Sequence, residues 1–150
     1  MFDKTLEIPI ASDHGGYDLK QYLIEKLTGV GYKIIDMGTY SSASVDYPDF
    51  IHPLASAINN GNFPMGIILC GSGQGASMTA NKYPNVRAAL LWDVEQAKLT
   101  RKHNDANIVS LPGRFIDKDM AIEIIEAFLN EDFEGGRHVN RVRKMSEVLK

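Results

Sequence analysis

The chain has 150 residues, of which 44% are apolar and 23% charged, and a net charge of −3. This length predicts one domain spanning 1–150 that can bury its core without disulfide support. The small acidic excess argues against a nucleic-acid partner, whose binding surface would be basic. A single cysteine, acidic residues near the amino terminus and the lack of an apolar run of about 20 residues predict a cytoplasmic protein with neither signal peptide nor membrane span.

Apolar runs and helical repeats alternate along the chain, separated by turns rich in glycine. Strands are predicted over residues 6–12, 32–37, 65–70, 87–92 and 106–111. Helices are predicted over residues 17–30, from Pro48 through Ile58, over 76–82 and 94–103, around 121–128, and from about 136 to 149. Pro9 is the exception inside the first strand, because proline has no N–H to donate to a strand ladder.

This alternation predicts an α/β fold: a single-domain, three-layer αβα sandwich around a Rossmann-like, five-stranded parallel sheet. Ligands of such sheets bind beyond the carboxyl ends of the strands. The turns that follow the strands are therefore the places to search for a site.

The turn after the third strand reads Cys70-Gly71-Ser72-Gly73-Gln74-Gly75. Three glycines in five positions allow successive backbone N–H groups to form an anion-binding nest. Donors beside the sulfur of Cys70 favour a thiolate, which can act as a nucleophile or a general base. The alternative is that Cys70 is simply a small buried residue that completes an apolar strand.

The same turn also has the spacing of a dinucleotide fingerprint. Gly71, Gly73 and Ala76 match G-x-G-x-x-A, and Asp93 lies 20 residues after Gly73. The turn follows the third strand rather than the first, and the chain has no second domain to hold a substrate. Both features weaken the prediction of a nicotinamide-dependent enzyme. A flavodoxin-like binding module without catalysis remains a second alternative.

Three further motifs carry polar side chains that suit a phosphorylated ligand. His14 follows Asp13 in the first turn, where Asp13 could instead only cap the next helix. His103 and Asn104 end the fourth helix, where an ordinary helix terminus is the alternative. Arg137 and Arg141 are four residues apart, so on a helix they share one face and could clamp a phosphate, or could simply face solvent. Scattered histidines without a carboxylate cluster predict no metal site.

Taken together, these segments resemble the type B ribose-5-phosphate isomerases and the related galactose-6-phosphate isomerase subunits. The shared segments are Ser12-Asp13-His14, Asp46-Tyr47-Pro48, Cys70 through Gly75, Ala80-Asn81-Lys82, Arg101 through Asp105, and Glu134 through His138. They occur in the order of the family and cover nearly the whole chain.

The resemblance implies a cofactor-free aldose–ketose isomerase of the pentose phosphate pathway that acts through an enediolate. The implied catalytic residues are Cys70 as the base, His103 as the group that opens the sugar ring, and Ser72 as an aid to proton movement between O1 and O2. The implied substrate-binding residues are Asp13, His14, Tyr47, Gly71, Gly73, Gly75, Asn104, Arg114, Arg137 and Arg141. The resemblance also implies a homo-oligomer, dimer or tetramer, with sites shared between subunits.

Two positions refine this interpretation. Pro112 stands where relatives usually have glycine, which affects the expected placement of Arg114. Ala76 stands where one branch of the family has a glutamate base, so the chain resembles the branch that uses cysteine. Ribose 5-phosphate is the default substrate, while six-carbon sugar phosphates stay open at this point.

Overall fold

The computed structural model describes residues 1–147. The strands are β1 (Glu7–Ser12), β2 (Lys33–Asp36), β3 (Gly66–Cys70), β4 (Ala88–Leu90) and β5 (Ile108–Pro112). The helices are α1 (Tyr17–Gly29), α2 (Tyr47–Asn59), α3 (Gln74–Ala80), α4 (Val94–Asn104), α5 (Lys118–Asn130) and α6 (Arg137–Met145), with a short 3-10 turn at His14–Gly16.

The five strands form one sheet in the order β2-β1-β3-β5-β4, and every neighbouring pair is parallel. Helices α1, α4 and α5 pack on one face, and α2 and α3 pack on the other. The predicted three-layer αβα sandwich is therefore confirmed. Because β2 and β3 lie on opposite sides of β1, the carboxyl ends of β1 and β3 border the crevice where open parallel sheets bind ligands.

Alternate residues of the central strands face opposite cores, as the pleat requires. In β3, Ile67 and Leu69 pack with α1 and α5, while Ile68 and Cys70 pack with α2 and α3. The side chain of Cys70 is thereby directed to the same side of the sheet as Tyr47, the first residue of α2. Strand pleat and helix placement together bring two predicted site residues to one side.

Pro9 lies in a strand with neighbours on both sides, where proline is uncommon. The carbonyl of Ile10 accepts a hydrogen bond from the N–H of Met37 at 2.8 Å, on the β2 side. Backbone polar groups alternate along a strand, so those of Pro9 face β3. Pairing with β3 begins only at Ile10. Proline is tolerated here because no ladder hydrogen bond is expected at its nitrogen.

Most predicted element boundaries differ from the observed ones by a few residues, and two differences have a clear cause. The fifth strand starts at Ile108 rather than 106, because the Asn107 side chain accepts from the N–H of Arg87 at 2.8 Å while the chain is still turning. The last helix was predicted to reach about 149, which is wrong: it ends at Met145. The hydroxyl of the next residue, Ser146, donates instead to the carbonyl of Pro84 at 2.6 Å.

Leu149, which the sequence assigned to this last helix, lies outside the described residues. Among residues 1–147, no helix is both long enough and apolar enough to cross a lipid bilayer.

Candidate active site

Three turns meet at the carboxyl edge of the sheet, after β1, β3 and β5. A Cβ added at Gly15 would lie 3.0 Å from the backbone nitrogen of Gly71, and one at Gly113 would lie 2.9 Å from the carbonyl oxygen of Gly15. The N–H of Gly113 donates to the carbonyl of Cys70 at 2.9 Å, and that of Arg114 to the carbonyl of Gly71 at 3.0 Å. Glycine is required at these contacts because a side chain would push the turns apart.

The turn after β3 is held in one conformation by β5. Gly73 has φ +73°, in the left-handed region, and a Cβ there would lie 2.5 Å from Cδ1 of Leu90 and 3.0 Å from the carbonyl oxygen of Leu111. The buried hydroxyl of Ser110 donates to the carbonyl of Gly73 at 2.7 Å. The turn therefore has little freedom, and its polar groups are fixed before a ligand arrives.

This turn offers unused hydrogen-bond donors. Within residues 1–147, the backbone N–H groups of Gly71, Ser72 and Gly73 donate to no other group of the chain. The hydroxyl of Ser72 accepts only a long bond, 3.4 Å, from the N–H of Gln74. Three N–H groups and one hydroxyl next to Cys70 are thus available to an oxygen of a ligand.

A cavity of about 530 Å³ opens over this turn. Of the residues predicted from the sequence, it is lined by Asp13, Tyr47, Cys70, Gly71, Ser72, Gly75 and Arg114. Gln74, Met78 and Phe115 also line it and were not predicted. Gln74 and Met78 are four residues apart, so the helical spacing of α3 was the signal that would have found them.

Cys70 and Tyr47 both form part of the cavity wall. Cys70 is 4% exposed, which keeps its sulfur away from bulk water while it still borders the cavity. The ring of Tyr47 packs on Gly75, where a Cβ would lie 2.6 Å from Cζ and 2.9 Å from the phenolic oxygen. Glycine at position 75 therefore lets the Tyr47 hydroxyl approach the turn.

Asp13 and His14 have local bonds that set their orientation. Oδ1 of Asp13 accepts from the N–H of Gly16 at 3.1 Å, so Asp13 caps the short 3-10 turn, whereas the N-cap of α1 is Gly16 and has no side-chain cap. Nδ1 of His14 accepts from the N–H of Val45 at 3.2 Å. A neutral imidazole that accepts at Nδ1 carries its proton on Nε2, so His14 can donate a hydrogen bond from Nε2.

The structure argues against the dinucleotide fingerprint. The carboxylate of Asp93 caps α4 by accepting from the N–H of Gln96 at 2.8 Å. Asp93 also follows β4, which is separated from β3 by β5. The acidic residue of a dinucleotide site is needed beside the glycine turn, and Asp93 is neither adjacent to it nor free.

His103 and Asn104 lie at the opposite edge of the sheet from Cys70. Helix α4 starts at the carboxyl end of β4 and runs back for 11 residues, or about 16 Å. The carbonyl of Asn104 accepts from Nε of Arg87 at 3.1 Å, and Arg87 directly precedes β4. The carboxyl end of α4 therefore lies at the amino edge of the sheet.

Helix α6 adds its residues to this second group. The N–H of Glu134 donates to the carbonyl of Lys102 at 3.1 Å, which holds the start of α6 beside the end of α4. Arg137 and Arg141 are exposed and, four residues apart on α6, share one face as predicted.

His138, which the sequence analysis did not single out, stacks on His103. The two ring centroids are 4.5 Å apart with an interplanar angle of 18°. Burial, followed by the nearby charges of His103 and Arg137, lowers the pKa of His138 below its ordinary value. Its surroundings therefore favour the neutral imidazole.

The predicted residues thus fall into two groups within one chain. Those on the turns after β1, β3 and β5 and at the start of α2 line the cavity, except His14 and Gly73, which belong to two of these turns but are not part of its lining. The residues His103, Asn104, Arg137 and Arg141 lie together at the other edge. One chain by itself does not bring the two groups into contact.

A model of the Ribose/Galactose Isomerase family matches residues 8–145 of the sequence. This chain belongs to that family. Among the isomerases it resembles is the crystal structure of a ribose 5-phosphate isomerase from Thermotoga maritima, with a TM-score of 0.93 and 45% sequence identity, over 95% of this chain and 99% of that one.

Two other members of the family are similar over almost their whole length. Ribose-5-phosphate isomerase B of Escherichia coli is 36% identical over 142 residues, which are 95% of each chain. The structure of the Mycoplasma genitalium enzyme was solved with bound ribulose-5-phosphate. Its TM-score is 0.90 and its sequence identity 38%, and the match covers 96% of this chain and 96% of that chain. The resemblance stated from the sequence motifs is confirmed at the level of family and fold.

Two glycines allow a matched test of the turn that carries the nest. Gly73→Ala should destabilise the protein by about 2–5 kcal/mol, because it combines left-handed strain with overlap against Leu90 and Leu111. Gly61 has a similar φ of +78° but no atom within 4 Å of an added Cβ. Gly61→Ala should therefore lower the stability of the protein only by the backbone strain, which is about 1–2 kcal/mol. Urea unfolding of both variants measures the difference, and equal losses would contradict the packing argument.

Proposed function

We propose that this chain is a ribose-5-phosphate isomerase, which interconverts ribose 5-phosphate and ribulose 5-phosphate through an enediolate. The observation that carries the proposal is the buried thiol of Cys70, which lines a cavity and directly precedes a turn with three uncommitted N–H donors. The named activities of the relatives support the same substrate pair.

Aldose–ketose isomerisation needs a base, donors for a developing oxyanion and a way to return the proton. In the proposed reaction, the Cys70 thiolate removes the proton from C2 of the open-chain aldose. The resulting enediolate oxygen accepts hydrogen bonds from the N–H groups of the nest, and the thiol then returns the proton to C1. Ser72 is suited to pass the hydroxyl proton from O2 to O1, because its hydroxyl both donates and accepts.

The sugar and phosphate would be held around this centre. Asp13 and Tyr47 line the cavity and are suited to bind sugar hydroxyls. We assign the phosphate to His14, through its Nε2 proton, and to Arg137 and Arg141, with Arg114 over the turn as a further cation. A guanidinium binds phosphate through paired, charge-assisted hydrogen bonds, so loss of one arginine should weaken binding strongly.

The second group of residues requires a second copy of the chain. His103 opens the furanose ring and Asn104 binds hydroxyls in the proposed mechanism, yet both lie at the amino edge of their own sheet. A two-fold symmetric homodimer could set the amino edge of one subunit against the carboxyl edge of the other, completing two equivalent sites. A tetramer would be a pair of such dimers.

The proposed reaction is tested by assaying conversion of ribose 5-phosphate to ribulose 5-phosphate in EDTA, with allose 6-phosphate and galactose 6-phosphate in parallel. We expect fast turnover of the five-carbon sugar that the chelator does not reduce, because the proposed proton transfers need no metal. Turnover of a six-carbon sugar alone would keep the mechanism and replace the substrate. No turnover of any of them would overturn the proposal.

The base assignment predicts that Cys70→Ala loses about 10²–10⁴-fold in kcat with little change in KM. Cys70→Ser, which keeps nearly the same volume, should also be poorly active, because a hydroxyl ionises far less readily than a thiol. Since Cys70 is the sole cysteine of the sequence, alkylation should inactivate the wild type, and substrate should slow that loss. Near-normal turnover by Cys70→Ala would remove Cys70 from the mechanism.

The phosphate assignment predicts that Arg137→Ala raises KM for ribose 5-phosphate by at least about tenfold, the value of one charged hydrogen bond. Arg143 of the same helix bonds to Asn140 and Glu147 of its own chain, so Arg143→Ala is the matched control and should leave KM unchanged. Ribose without its phosphate should be a very poor substrate of every variant. Equal effects of the two substitutions would contradict the clamp.

The shared site predicts complementation between two inactive variants. Cys70→Ala and His103→Ala subunits, unfolded and refolded together in equal amounts, should regain about a quarter of wild-type activity. Half of the dimers are then mixed, and each mixed dimer contains one intact site. If both residues instead served a site within one chain, every site would carry a substitution and no activity would return.

A further inference from the structure

Three potential metal ligands converge where α4 meets α6. His103 ends α4, Glu134 precedes α6 and His138 lies in its first turn. Each offers one ligand atom, and these three atoms all lie within 4.8 Å of one another. Nε2 of His103 is 4.0 Å from Oε2 of Glu134. The residues are spread over 36 positions of the sequence, so no ligand spacing marks them there, and no metal site was expected from the sequence.

The buried member of this cluster lacks a partner. His138 is 4% exposed, and its Nε2 makes no hydrogen bond within residues 1–147. Buried polar atoms are normally satisfied, so an unpartnered ring nitrogen points to a group that is missing from the chain itself. Burial holds the His138 ring in place, and His103 stacks on it from the more exposed side.

The donor set selects the class of ion. Two imidazoles and one carboxylate form a common Zn²⁺ ligand set, whereas Mg²⁺ and Ca²⁺ prefer oxygen ligands alone. Ligands of tetrahedral zinc lie about 3.3 Å apart, given bond lengths of about 2.0–2.2 Å. Glu134 is exposed and His103 partly exposed, so rotation of these two side chains can close the remaining distance around the fixed His138.

Some charged groups near the cluster weaken the binding of a cation, and others favour it. Arg137 and Arg141 lie on the same helix as His138 and weaken cation binding by repulsion. Lys102 is 3.7 Å from the carboxylate of Glu131, which partly offsets its charge. The carboxylate of Glu134 supplies the negative charge of the cluster itself.

We propose that His103, Glu134 and His138 form a binding site for a divalent transition-metal ion, and that a bound ion inhibits the isomerase. The inhibitory part rests on the proposed function, in which His103 opens the sugar ring. An ion that takes up the lone pair of His103 removes this group from the reaction. The bound ion is thus an inhibitor that takes no part in the proposed chemistry, which needs no metal.

Binding is tested on the full-length protein with Zn²⁺, by calorimetry and by competition with a fluorescent chelator. Glu134→Gln should weaken Zn²⁺ binding by at least about tenfold, since loss of even an outer-shell partner costs 10–100-fold. Asp132→Asn is the matched control, because it removes an exposed carboxylate of the same loop that is outside the cluster, and it should bind Zn²⁺ like the wild type. Equal affinity of Glu134→Gln and wild type would overturn the proposal.

Cys70 is the competing ligand that the experiment must separate. Cys70→Ser should keep the wild-type affinity for Zn²⁺. Co²⁺ bound to the wild type should give the visible bands of nitrogen and oxygen ligation without a thiolate charge-transfer band. Loss of binding in Cys70→Ser, or a thiolate band, would assign the ion to the cavity and overturn the proposal.

The inhibitory effect is measured as isomerase activity against free Zn²⁺, with recovery in EDTA. Glu134→Gln should require at least about tenfold more Zn²⁺ for the same inhibition, in line with its weaker binding. Binding at the cluster without inhibition would overturn the inhibitory part. If the protein has no isomerase activity, the binding measurements still decide whether the site exists, so the two proposals fail independently.

Discussion

Close contact between the turns after β1, β3 and β5 is the constraint on which the candidate site depends. Backbone atoms of Gly15, Gly71 and Gly113 approach to distances that leave no room for side chains. The hydrogen bond from Ser110 to Gly73 and the left-handed conformation of Gly73 then fix the turn that follows Cys70. Because these contacts are made within the folded chain, the unused N–H groups are aligned before substrate binds, and little reorganisation is needed during the reaction.

The same architecture explains why four of the predicted site residues lie at the other edge of the sheet. In a parallel α/β sheet each helix carries the chain from the carboxyl edge of one strand back to the amino edge of the next. A residue at a strand end and a residue at the end of the following helix therefore lie at opposite edges, as Cys70 and His103 do. The proposed reaction needs both residues and therefore two copies of the chain, so in this proposal assembly is part of catalysis.

His103 links the two proposals. It stacks on His138, lies near Glu134 and carries the proposed ring-opening role. An imidazole that can exchange a proton near neutral pH is also a good ligand for a transition metal, because both properties depend on the same nitrogen lone pair. If His103 has the proposed role, its place beside a second histidine and a carboxylate makes the proposed metal inhibition a direct consequence of the same lone pair.

The sequence by itself determined the alternation of strands and helices, the glycine turn beside Cys70 and the family resemblance, because apolar periodicity and short motifs are local properties. It also placed Arg137 and Arg141 on one helical face. Only the tertiary structure decided the strand order, the use of Asp93 as a helix cap, the end of α6 at Met145 and the cluster of His103, Glu134 and His138. These features depend on contacts between residues far apart in the chain, and no local pattern specifies which distant segments will pack together.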